Sequence, residues 1–332
     1  MKMDKLGIRE IPFEEIGELK IGHAADEEAG TGCTVLISEK GMAAAADVRG
    51  GGPASRETAL LAPLTASDVI HAVVLSGGSA FGLEAGCGVA EFLEEKGIGF
   101  ETGYAKVPLV CQSCIYDLGV GSAKIRPDKK MGYDACADAW EGKHRGCQGN
   151  VGAGMGASVG KARGGMGMMK SGLGTCGLQL GELKVGAMVV VNALGDIYDC
   201  HTHEKIAGLR NLSGDGFDDC ETELLALLAK AEQKNLFTAN TTIGVVATNA
   251  GLNKMELQRV CSASHNGYAR TIRPVHTSAD GDSIYAVSVG DLKGNVDMIS
   301  ALATEAMARA VNAAVRMAEE KYGIPGVRKI IS

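Results

Sequence analysis

Six short runs, at 33–38, 42–48, 71–75, 185–191, 242–248 and 283–289, are rich in Val, Ile or Ala and bounded by Gly, Asp or Asn. Runs of this length, composition and punctuation predict strands. Near the C-terminus the period changes. Ile299, Leu302, Ala306, Ala310, Ala314 and Met317 recur every three or four residues, which predicts a helix with one apolar stripe for packing on a sheet. Asn253 followed by Glu256 has the spacing of a capping box and predicts a second helix from there to about residue 269. Further helices are expected over 81–96 and 221–230. Between 198 and 237 the pattern loses its period, with Asp, Glu, His and Lys crowding 199–219. That stretch is expected to be a solvent-exposed connection between two structural halves. Strands and helices are intermixed without strict alternation and without a fixed repeat, so the expected fold is α/β, with helices outside paired sheets.

Composition narrows the range of functions. The 332 residues include 47 Gly but only 4% aromatic residues, which favours close backbone packing and tight turns over aromatic platforms for single-stranded nucleic acid. A net charge of −7 disfavours a phosphate-binding surface, so no nucleic-acid partner is expected. No apolar run approaches the ~18 residues of a membrane span, and the Met-Lys-Met-Asp-Lys-Leu start has no apolar signal segment. The expectation is a cytoplasmic protein with no membrane partner. Its ten cysteines are then expected to stay reduced. Cys111 and Cys114 form the one CxxC, but it lacks the second pair a zinc ribbon needs and opens no helix, so the two are expected to be structural thiols.

Several motifs invite specific chemistry and fail its requirements. Gly149 to Lys161 (GNVGAGMGASVGK) resembles a nucleotide loop, but a P-loop needs Gly where Met155 stands and Ser or Thr where Ala162 stands. The residues before it are polar and charged rather than a hydrophobic strand, which also removes a dinucleotide turn. His201-Thr-His203-Glu204, beside Asp199 and Cys200, has metal-binding residue types but no partner cluster, so no metal is expected. Ser76 to Glu84 is a Gly-rich strand-to-helix turn whose amides suit an oxyanion or simply begin the helix.

The sharper signal is Asn240-Thr-Thr-Ile243, where a hydroxyl residue stands between a polar stretch and an apolar strand. The bland reading is an ordinary strand start. The chemical reading is self-cleavage at Asn240–Thr241: the Thr241 hydroxyl attacks the preceding carbonyl, and an acyl shift followed by hydrolysis frees an α-amine. That amine, with a reference pKa of about 7.7–8.0, serves as general base for its own side chain. One residue then supplies nucleophile and base.

At this point the chain resembles the self-cleaving hydrolases that include the L-aminopeptidase/D-amidases, the β-peptidyl aminopeptidases and nylon-oligomer hydrolase. The resemblance runs through Ile21-Gly-His-Ala24, Gly30-Thr-Gly-Cys-Thr-Val35, Asp47-Val-Arg-Gly-Gly51, residues 77–86, Ile115-Tyr-Asp117, Pro127-Asp-Lys129, residues 152–161, Val190-Val-Asn192, Asn240 to Ile243 and His276 to Asp282. It implies one αββα sandwich domain over 1–332, cut into fragments 1–240 and 241–332 that stay associated. It further implies a homo-oligomer of the cleaved unit, a tetramer. The resemblance makes Thr241 the nucleophile and Asn192 an oxyanion donor. It sets Lys161 near the nucleophile and makes Asp280 and Asp282 an acidic pair that orients the hydroxyl and amine. Gly78 and Phe81 fall at the substrate pocket. Asp280 stands where the aminopeptidase branch often has Ser, so the centre is most similar to the nylon-hydrolase branch, although Phe81 replaces a Tyr of that branch. The implied activity is hydrolysis of a small peptide or amide through an acyl-enzyme, without cofactor. The alternatives are an acetyltransferase of the ornithine acetyltransferase type, which shares a related fold and self-cleavage before Thr, and a non-catalytic binding protein on the same fold.

Overall fold

The computed structural model describes residues 6–229 and 240–327. Its main strands are β1 (Lys20–Asp26), β2 (Thr31–Val48), β3 (Ile70–Ser76), β4 (Val110–Cys114), β5 (Leu173–Leu180), β6 (Leu183–Asn192), β7 (Thr241–Ala250) and β8 (Ser283–Leu292). Four helices pack on them: α1 (Ala85–Glu95), α2 (Lys129–Glu141), α3 (Lys254–Thr271) and α4 (Val296–Arg316). The 33–38 and 42–48 runs are one strand rather than two. β2 runs unbroken for 18 residues and changes partners on the way. Its first half pairs with β1 and β3, and its second half pairs with β8. One sheet therefore continues into a second through β2. The first contains β5, β6, β7, β8 and the end of β2; the second contains β1, the start of β2, β3 and β4.

Alternation along each strand supplies the layers. Met188, Val190, Ile243, Val245, Tyr285 and Val287 of the first sheet meet Leu36, Val73 and Leu75 of the second in one buried cluster. The intervening residues Val189, Val191, Val246 and Ile284 face α3 and α4 through Leu257, Val260, Ala306 and Ala310. On the other outer face, Val35, Ile37 and Val74 meet Val89, Phe92 and Leu93 of α1 and Ala135 and Cys136 of α2. The result is an αββα sandwich, as a period of two on doubly covered sheets requires. Glycine permits the close approach of α1 and α2. A Cβ on Gly88 would collide with the Lys129 carbonyl, and one on Gly132 with that of Ala85.

Asn253 caps α3 with the full capping box to Glu256, as its sequence predicts. Two other boundaries move. The 81–96 helix begins at Ala85, after a 3-10 turn over Ser79–Glu84, and Met317, expected on the buried stripe, is 44% exposed just past the end of α4. The 221–230 helix is found at Cys220–Ala229, and residue 230 lies outside the described residues.

The expected exposed connection over 198–237 needs correction. Asp196–Tyr198, Lys205–Ala207 and Ile272–Arg273 form a small sheet, and Leu209 and Cys220 join Ala162 in a satellite core. The fully buried Asp196 explains this order. Its carboxylate takes the Lys205 ammonium at 2.7 Å and the backbone amides of Leu209 and Cys220 at 2.8 and 2.9 Å. A charge crowding that reads as surface is thus partly an internal anchor. Residues 230–237 of that stretch lie outside the described residues.

Candidate active site

β7 and β8 are parallel neighbours, with Ile243 opposite Ser283, so their N-terminal ends lie side by side. β6 is antiparallel to β7, which sets its last residue, Asn192, opposite the first residue of β7, Thr241. Strand topology alone therefore gathers Thr241, Asn192 and the loop before β8 at one rim of the sandwich. By alternation, Thr241 and Asn192 share the face of Ile243 and Val190, the interior between the sheets.

Thr241 is 4% exposed, and its hydroxyl donates to the carbonyl oxygen of Asn240, the residue before it. Gly281 presses on it from the β8 side, where an added Cβ would lie 2.9 Å from Thr241 Oγ1. Asp282, also buried, accepts the Thr242 amide at 2.6 Å through Oδ1. Its Oδ2 meets both the backbone amide and the Nδ1 of His276, at 3.1 and 2.9 Å. Asp280 accepts the amide and the hydroxyl of Thr277, each at 2.7 Å. The two carboxylates stand in the loop ahead of β8 rather than on the strand, and they take different partners. Burial, reinforced by the Asp282 charge, pushes Asp280 up to about 6. Residues 49–52 pass under this loop as a cradle, with the Arg49 amide donating to the Asp282 carbonyl at 2.9 Å and the Gly52 amide to that of Asp280 at 2.8 Å.

Lys161 ends the Gly-rich loop and is buried against Asn192, donating to its side-chain oxygen at 2.6 Å and its carbonyl at 3.1 Å. Burial lowers its pKa to about 7, although Asp280 and Asp117 favour its charge. The Asn192 side-chain nitrogen donates to the Tyr116 carbonyl at 2.9 Å, and its oxygen also accepts the Ser158 amide at 3.1 Å. The carboxamide is thus held at both ends in this uncleaved chain.

Gly78 and Phe81 occupy the turn between β3 and α1. Gly78 adopts a positive φ of 79° and donates its amide to Asp117 at 2.7 Å. Phe81 is 60% exposed, and the Arg126 guanidinium stacks 4.1 Å above its ring. Asp117 lies between this turn and Lys161, so Gly78 borders the site while Phe81 stands further out on the surface.

Residue-by-residue reading of the sequence missed three contributors. Asp117, buried and held above the usual carboxylate range by that burial, accepts the Thr31 hydroxyl at 2.7 Å; its signal lay in the Ile115-Tyr-Asp117 run. Lys170 is 0% exposed and donates to the carbonyls of Gly154, Ala157 and Ser171 at 3.3, 2.7 and 2.7 Å. It thereby staples the loop that carries Lys161, and burial lowers its pKa to about 7. One charged residue within the uncharged stretch 164–181 was the available cue. His276 is the third, within the His276 to Asp282 run.

Other motifs lie elsewhere. Cys111 and Cys114 are buried on β4, where spacing by three sends them to opposite faces, and burial pushes both thiols up to about 12. His201, His203 and Glu204 are exposed, and among the described residues no group of three His, Cys, Asp or Glu is placed to hold a metal ion. No helix among the described residues is long and apolar enough to cross a membrane.

A fold of this topology around a buried threonine at a strand start can be compared with known proteins. The family model for peptidase family S58 matches residues 14–328. The chain belongs to that family. It is therefore a hydrolase of amide bonds. Among relatives of this S58 chain, an uncharacterized aminopeptidase of Mycobacterium leprae (strain TN) is 37% identical over 94% of this chain and 91% of its own length. A 6-aminohexanoate-oligomer endohydrolase of Kocuria sp. (strain KY2) is 32% identical over 88% of this chain and 82% of its own. Two solved structures share the fold. The L-aminopeptidase D-Ala-esterase/amidase of Ochrobactrum anthropi, described as a variant of the Ntn hydrolase fold, has a TM-score of 0.68 at 15% identity, covering 95% of this chain and 88% of its own. A Burkholderia sp. β-aminopeptidase has a TM-score of 0.64 at 18% identity, over 100% and 97%.

Proposed function

We propose that this S58 chain cleaves itself between Asn240 and Thr241 and then hydrolyses small peptides or related amides with Thr241 as N-terminal nucleophile. The observation that carries this reading is the Thr241 hydroxyl lying against the carbonyl oxygen of the very bond it would break. In the first stage Oγ1 attacks the Asn240 carbonyl carbon while its proton passes to Asp280, which then protonates the departing nitrogen. The C–N bond breaks, an ester joins Asn240 to Oγ1, and water hydrolyses it to a carboxylate and a free Thr241 hydroxyl. The released α-amine then serves as base. Oγ1 attacks a substrate carbonyl, the amine returns the proton to the leaving amine, and water resolves the acyl-enzyme.

Asn192 is the donor to the oxyanion in this scheme. Removing one such donor costs roughly 2.7–4 kcal/mol of transition-state stabilisation in other hydrolases. Lys161, bonded to the Asn192 oxygen, holds and polarises that carboxamide. Gly78 borders the substrate space, with Phe81 at its outer edge. The two fragments remain one sandwich because β7 lies between β6 and β8, and the cleaved unit forms a homo-oligomer in the cytoplasm. Membership of a peptidase family and relatives named as amide hydrolases favour water over an amine as acyl acceptor, and thus hydrolysis over acetyl transfer.

Replacing the nucleophile tests this reading. Thr241→Ala is expected to remain one chain by intact mass and to show no amidase activity. Processing of that variant at the same bond would remove Thr241 from the mechanism.

A further inference from the structure

We infer that His276 is a positioning residue for this chemistry: it grips one oxygen of Asp282 so that the other fixes the backbone immediately after the nucleophile. The inference rests on the reading of Thr241 given above. Asp282 Oδ1 takes the Thr242 amide at 2.6 Å, so the placement of Thr241 depends on where that carboxylate sits. Asp282 Oδ2 receives two donors, the backbone amide and the ring Nδ1 of one residue, His276. This double capture is made from an unusual backbone, with φ of His276 at 59°. A non-glycine residue in the left-handed region costs on the order of 1–3 kcal/mol and persists where surrounding contacts over-determine it, commonly at functional sites.

The ring is also wedged. His265 lies edge-on to it, with centroids 4.7 Å apart, and Tyr268 lies 6.1 Å away. His265 is itself pinned by its Nε2 to the Asp47 carbonyl at 3.0 Å, and burial lowers it to about 4, so it stands as a neutral wall near pH 7. The other charges at this corner are Asp47 and Arg49, which bond each other at 3.1 Å. Because Nδ1 faces a carboxylate, it carries the proton, and the buried Nε2 meets no hydrogen-bond partner among the described residues. The ring therefore acts through one donor nitrogen. A chain of contacts runs from His276 through Asp282 and the Thr242 amide to the attacking hydroxyl, and a displacement of about 1 Å at its end can cost on the order of a hundredfold in rate.

The experiment follows self-cleavage during cell-free synthesis, by the appearance of fragment 241–332, in the parent chain, His276→Gly, His276→Asn and Thr241→Ala. Glycine tolerates the positive φ and deletes the ring, so it separates the side chain from backbone strain. Asparagine also tolerates that φ and restores a single donor. The expected result is cleavage slowed at least tenfold in His276→Gly, with its melting temperature near that of uncleaved Thr241→Ala, and recovery to within a few-fold of the parent in His276→Asn. Parent-like cleavage in His276→Gly overturns the proposal, as does a loss that asparagine does not restore. If the parent chain itself yields no fragment, the nucleophile reading fails and takes this proposal with it. If the parent cleaves and His276→Gly keeps pace, only the role of His276 fails.

Discussion

The proposed self-cleavage precedes any free α-amine, so its pH dependence would report the side chains around Thr241 alone. In the proposed scheme Asp280, raised to about 6 mainly by burial, must be ionised to draw the hydroxyl proton. Lys161, lowered to about 7 by burial, bonds Asn192 most strongly when charged. Below the first value the carboxylate is neutral, and above the second the ammonium is. The rate of fragment release should therefore rise through about pH 6 and fall above about pH 7, measured as first-order kinetics across buffers. A rate that climbs steadily to pH 9 would contradict this assignment. At the same scale, sequence reading could propose Thr241 as the nucleophile because a hydroxyl at a polar-to-apolar junction is a local feature. It missed the structural meaning of Lys170 and His276, whose partners are main-chain carbonyls and a carboxylate made available only by folding.

Secondary-structure elements bring the site together through two pairings of opposite sense. β6 runs antiparallel to β7 and ends opposite its start, while β8 runs parallel to β7 and starts beside it. The loop before β8 is held against Thr241 by Gly281, where a Cβ would stand 2.9 Å from both the hydroxyl oxygen and the Gly52 carbonyl. Gly281→Ala should therefore displace the loop and slow self-cleavage at least tenfold, as misplacement of reacting groups by about 1 Å does elsewhere. The check is intact-mass kinetics alongside circular dichroism, and unchanged kinetics would show that the loop has slack. The six apolar runs were legible because strands covered on both faces read as short continuous apolar segments. α2 was not legible. Its sequence KKMGYDACADAWE buries Gly132, Ala135, Cys136 and Ala139, small residues that leave a weak stripe. β5, rich in Gly and polar residues (LGTCGLQL), was missed for a related reason. The misread 199–219 stretch shows that charge density marks a surface only when no buried carboxylate such as Asp196 organises it.

Across the whole molecule, the sandwich buries two lysines near the site, Lys161 against Asn192 and Lys170 against the carbonyls of Gly154, Ala157 and Ser171. Lys161 and Lys170 both have folded pKa values lowered to about 7 from 10.5. Between those values the unfolded chain binds more protons than the folded one, so stability rises with pH. Urea midpoints of uncleaved Thr241→Ala should accordingly increase from pH 7 to pH 8, below the range where unfolded thiols ionise appreciably, and a decrease would contradict the burial of these lysines as neutral amines. Burying both lysines thus carries a stability cost at neutral pH that shrinks as the pH rises and the amines lose their protons. The central claim concerns the backbone itself. Intact mass and N-terminal sequencing of the purified wild-type protein should give two chains, 1–240 and 241–332, the second beginning with Thr241. A single chain of 332 residues after prolonged incubation in the folded state would contradict the account.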